Sequence, residues 1–219
     1  MAEFPIVPSK TAMLYFDTLN AYLHPPDPER QAAIKASGVI DRMAKMNQAC
    51  RDAGIAVFYG QADHRLDGKD FSPLIVARGH QGKPGDPPFK TQSPGVVLGG
   101  PHGMEVISEL APQPGDYVIK KHRWSMFFQT HLELSLRTAG IDTIMIAGGS
   151  TEVGVASTAY SARDRDFNLI LLRDVCTSGQ EGVVDFFMDK VFPIFGRVMT
   201  VDEAIAQIDR SRFAAVASR

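Results

Sequence analysis

The stretch MIAGGSTEVGVASTA, from Met145 to Ala159, decides the fold. Its opening residues are a short apolar run, Gly148 and Gly149 make a turn, and the segment beyond is compatible with helix. It therefore reads as a buried strand running through a glycine turn into a helix. Enzymes with open α/β sheets often place a reactive side chain at such a junction, because ligands bind outside the carboxyl ends of the strands. Here the turn holds no cysteine, and Gly154 stands where one would be sought.

Working outward, comparable apolar runs bounded by turn residues occur at residues 11–17, 55–60, 117–121, 168–174 and 196–200, with the run at 143–148 between them. Most are apolar at both odd and even positions, as strands covered on both faces must be. Helical patterns separate them. In residues 37–54 Ile40, Met43, Ala44, Asn47 and Cys50 fall near one stripe, and Gly54 is a natural stop. Further helices are expected at 103–111, 130–140, 151–166, 181–192 and 201–209, the last opened by Thr200 and Glu203 as a capping box. Alternation of this kind predicts a three-layer α/β/α fold with a central, mostly parallel six-stranded sheet, Rossmann-like in type, in one domain over residues 1–219.

Composition narrows the function. In 219 residues the 23 Lys and Arg are balanced by 25 Asp and Glu, so there is no basic excess for nucleic acid. No window approaches the length of a membrane span, and the N-terminal MAEFPIVPSK does not read as a secretory signal, so a cytoplasmic location is expected. Cys50 and Cys176 read as buried thiols.

Three features could carry chemistry. Asp17 ends the first strand and Lys121 the third, and two charges after apolar runs are costly unless they meet water or one another. The third is the start of the helix after Gly149, where Ser150 and Thr151 can act as caps and free N–H groups can hold negative charge or a water. Glu152 suits the helix dipole or could orient that water.

These blocks, AMLYFDTLNAYL, VIKKHRWSMFFQTHLELSLRTAGIDTIMIAGG and STEVGVASTAYSARDRDFNLILLRDVC, resemble the isochorismatase-like hydrolase superfamily over about residues 11–205. The resemblance implies that Asp17, and Lys121 before Ser125 and Phe127, are site residues. The nucleophilic cysteine of the family's amidohydrolases falls on Gly154, which can make no covalent bond. Isochorismatases of the superfamily are similar in carrying glycine there. By that likeness Asp17 would act as general acid on an enol ether while water attacks, Gly154 leaving room for substrate. One tension is that Lys121 should keep Asp17 ionised. Amide hydrolysis by water, or ligand binding without turnover, are the alternatives.

His64, Arg123 and Trp124 are further candidates for contact with a small, carboxylated substrate. A metal site is not expected, since Asp63 and His64 are adjacent rather than spaced as Asp-x-His, and no cofactor is implied. The Gly- and Pro-rich stretch from about residue 78 to 103, with Arg78, His80, Lys90 and His102, reads as a lid, binding loop or subunit contact, or equally as an ordered but passive surface loop. The resemblance implies a homo-oligomer, dimer or tetramer.

Overall fold

The structure, a computed structural model, describes residues 4–70 and 98–217. The expected Arg78, His80 and Lys90 therefore lie outside the described residues. Six strands form the sheet: β1 (Thr11–Phe16), β2 (Ala56–Ala62), β3 (Tyr117–Lys121), β4 (Thr143–Gly149), β5 (Asn168–Thr177) and β6 (Arg197–Met199). Their order is β3-β2-β1-β4-β5-β6 and every pair is parallel. β1 is buried at all six positions, which is why both parities of its sequence are apolar.

The helices, in chain order, are α1 (Asn20–Leu23), α2 (Pro28–Ser37), α3 (Val39–Ala53), α4 (Gly100–Gly103), α5 (Leu132–Thr138), α6 (Ala156–Arg163), α7 (Val183–Phe186) and α8 (Val201–Ala217). Met13 and Tyr15 of β1 share a core with α3 and α8, whereas Ala12, Leu14 and Phe16 share one with α5 and α6. The three-layer α/β/α architecture follows from this alternation of side chains across one strand.

Local signals explain most boundaries. α3 ends at the left-handed Gly54 (φ 71), and its buried stripe is Val39, Met43, Met46, Asn47 and Cys50, with Ile40 and Ala44 only half-buried. The capping box of α8 is formed: the Thr200 N–H donates to Glu203 Oε2 at 2.7 Å, and the Glu203 N–H donates to Thr200 Oγ1 at 3.3 Å. No helix among the described residues is long and apolar enough to cross a membrane.

Three segments depart from the sequence-based expectation. Residues 103–111 do not form a helix; Val106 makes an antiparallel bridge to Leu19, and only Ser108–Leu110 turn as a 3-10 helix. Residues 151–166 split into a wide π-type turn, Thr151–Val155, followed by α6. Residues 181–192 likewise pass from α7 into a π-type turn, Phe187–Val191.

Candidate active site

The order of the strands reverses between β1 and β4, and ligands of doubly wound sheets bind at such a switch point. Asp17 follows β1 there, with a left-handed backbone (φ 46) that aspartate tolerates better than most residues. Its N–H donates to the Gly60 carbonyl at 2.9 Å. Oδ1 accepts from the Ala62 N–H at 3.2 Å, and Oδ2 accepts from Lys121 Nζ at 2.8 Å across the end of β2. The pair predicted from two strand ends is thus a direct ion pair, with side chains only 9% and 5% exposed.

Burial acts against the pull of Lys121. Loss of hydration is the largest influence on Asp17 and lifts its pKa above the usual carboxylate range, although Lys121, the Ala62 N–H and nearby His64 all pull it down. Asp17 therefore holds a proton more readily than a free aspartate does.

The glycine turn is shaped by close approach. A Cβ at Gly148 (φ 117) would lie 2.0 Å from the Phe16 carbonyl oxygen, and one at Gly149 would lie 2.2 Å from Thr177 Oγ1. The Gly149–Ser150 peptide is cis. The capping expected of Ser150 and Thr151 is not made: the Ser150 side chain caps nothing, and Thr151 Oγ1 donates to the Thr177 carbonyl at 2.9 Å. Instead the N–H groups of Val153, Gly154 and Val155 converge on the Ser150 carbonyl at 3.3, 3.1 and 3.2 Å. Those three amides are spent within the turn.

Nor does Gly154 leave open room. A Cβ built there would lie 2.0 Å from both Cε1 and Cζ of Phe16, so the aromatic ring already fills that volume. The same ring lies under Lys121 Nζ, 4.2 Å from its centroid.

Beside the pair opens a cleft of about 760 Å³. Asp17, Lys121, Trp124, Gly149, Ser150, Glu152 and Gly154 line it, and Glu152 Oε1 accepts from Gln180 Nε2 at 3.2 Å. Three expected residues do not line it. Thr151 is fully buried, and His64 is paired with Asp70 at 3.2 Å. Arg123 folds back onto the carbonyls of Asp70 and His122. His102 is exposed beside Glu105, also away from the cleft.

Sequence reasoning missed Phe16, Thr18 and Arg30. Thr18 lines the cleft, is 1% exposed, and its hydroxyl has no partner among the described residues. Arg30 reaches the cleft from the first turn of α2 and has no ion-pair partner among the described residues. The signal for α2 was present: Asp27 accepts from the Arg30 N–H at 2.8 Å, and Pro28 occupies the first turn. Neither native cysteine is poised to react, since burial pushes the thiols of Cys50 and Cys176 up to about 12. Among the described residues no group of three or more His, Cys, Asp or Glu side chains is placed to hold a metal ion.

An all-parallel sheet with a buried carboxyl group and a cleft at its switch point is a frame on which α/β enzymes build their sites, and comparison with known proteins supplies the family. The chain belongs to the isochorismatase family, whose domain matches residues 11–203, and is accordingly a hydrolase. It is 30% identical over 199 residues to an isochorismatase family protein of Bacillus subtilis, covering 91% of this chain and 94% of that one. A ureidoacrylate amidohydrolase of Azorhizobium caulinodans is 32% identical over 218 residues, with 91% and 92% covered. Among solved structures, an isochorismatase family protein from Burkholderia thailandensis superposes with a TM-score of 0.76 at 24% identity, over 94% of this chain and all (100%) of that one. The N-carbamoylsarcosine amidase from Thermoplasma acidophilum gives 0.64 at 25%, over 88% and 97%.

Proposed function

We propose that this hydrolase acts without a protein nucleophile, cleaving the enol ether of a small carboxylated substrate such as isochorismate by proton transfer from Asp17 and attack of water. The observation that carries this reading is the pairing of Gly154 with Phe16. At the position of the usual thiol there is no side chain, and a ring fills the space.

The chemistry needs only what the site holds. Asp17, which burial makes readier than a free aspartate to take up a proton, delivers that proton to the terminal vinyl carbon. The electron pair of the double bond forms the new C–H bond and leaves an oxocarbenium ion. Water adds to this carbon and loses a proton, which restores Asp17, and the hemiketal collapses to a ketone and an alcohol. With isochorismate the ketone is pyruvate. Lys121, 2.8 Å from Oδ2, stabilises the carboxylate that Asp17 becomes during the transfer. The Thr18 hydroxyl, without a partner among the described residues, is suited to hold the attacking water, because a buried hydroxyl without a partner costs about 1–3 kcal/mol. Gly149, Ser150, Glu152 and Trp124 form the substrate walls in this reading. His64 acts from outside the cleft, through its field on Asp17.

A second reading is amide hydrolysis by water with Asp17 as base, favoured by the 32% identity to a ureidoacrylate amidohydrolase. The two are separated by incubating the wild-type protein with isochorismate and with ureidoacrylate and identifying products by mass spectrometry. Pyruvate from the first, with the second intact, supports the enol-ether reading; an amine or ammonia from the second alone replaces it.

A further inference from the structure

We propose that Phe16 and Gly154 form one matched unit that sets the reaction class, the ring excluding any nucleophilic side chain from position 154 by occupying its volume. Carbon atoms in good contact are about 3.5–4.0 Å apart. A Cβ at 154 would come within 2.0 Å of Cε1 and Cζ of Phe16 and 2.9 Å of Cδ1, an overlap with three ring atoms and not with a flexible chain end.

The ring has little freedom to step aside. It is 2% exposed and packs in the core shared by β1, α5 and α6. Its backbone is held between two strands, paired with Gly60 of β2 and Gly148 of β4. Lys121 Nζ rests over its face at 4.2 Å, so displacing the ring also removes the support beneath the ammonium that holds Asp17. Replacing Gly154 alone therefore does not produce a working thiol site. Phe16 must shrink at the same time.

This inference rests on reading the site as one without a nucleophile, but its test needs no substrate. Wild type, Gly154→Cys, Phe16→Ala and the double variant are compared by thermal unfolding, and by the rate at which iodoacetamide adds to the introduced thiol, followed by peptide mass spectrometry. Cys50 and Cys176, buried with pKa values near 12, give a silent background. The Tm losses of the two single variants are expected not to add, the double variant losing clearly less than their sum. The thiol at position 154 is expected to react at least tenfold faster in the double variant than in Gly154→Cys alone. If Gly154→Cys does not fold, a folded double variant carries the same conclusion. Additive Tm losses, equal alkylation rates, or a double variant that fails to fold when Phe16→Ala folds would each overturn the proposal. Such a failure would leave the enol-ether reading to its own product assay.

Discussion

Replacing Lys121 by methionine removes the one cation that, among the described residues, is bonded to the carboxyl group of Asp17, itself 9% exposed. Breaking a buried pair from one side leaves a charge without compensation, at a cost of about 3–5 kcal/mol. For a chain of this size each kcal/mol lowers Tm by about 2–4 °C, so a loss of about 6–20 °C is expected near neutral pH. The loss must also depend on pH. In the folded protein Asp17 already binds its proton more tightly than in the unfolded chain, because burial outweighs Lys121. Its contribution is therefore fully favourable below the ordinary aspartate value of about 3.9 and is lost as pH rises through the raised folded value. Without Lys121 the folded value rises further, and the unfavourable window widens upward. Thermal unfolding of wild type and Lys121→Met at pH 5 and pH 8 should show the larger difference at pH 8. A loss below about 2 °C at both values, or a larger loss at pH 5, would refute the reasoning.

Three further outcomes follow from the same geometry. If protonated Asp17 is the acid, kcat/KM for an enol ether falls as pH rises through its raised pKa, and a profile that rises over that range contradicts the assignment. Thr200→Ala removes one half of the capping box of α8 and should cost about 1 kcal/mol, or about 2–4 °C in Tm by calorimetry. Native Cys50 and Cys176 should stay unmodified by iodoacetamide at pH 7.5 and react only after denaturation; rapid labelling of either would show that its burial is wrongly assigned.

Much of the architecture was legible because parallel strands buried on both faces leave a strong imprint: β3 has the bounds read from its sequence, and β1 and β4 differ by one residue at an end. The meeting of Asp17 and Lys121 was legible too, since each is a charge at the end of an apolar run. Segment 103–111 misled because its apolar spacing serves one bridge, Val106 to Leu19, and a 3-10 turn. α2 was overlooked because, with no residue fully buried, it carries little apolar signal, although its Asp-Pro start was there to read. The occupant of the space at Gly154 was not legible at all. Phe16 lies far away in sequence, and only the pairing of β1 with β4, Phe16 opposite Gly148, brings it to the turn. A missing side chain read along the sequence suggests a void; across the sheet it is a filled one.

The central claim, that Asp17 supplies the proton and no protein atom attacks, is tested most directly by following isochorismate in D2O with wild type and Asp17→Asn by proton NMR. Wild type is expected to release pyruvate with one deuterium in its methyl group, and an Asp17→Asn protein that keeps its fold is expected to release none. Pyruvate released by Asp17→Asn at the wild-type rate would contradict it.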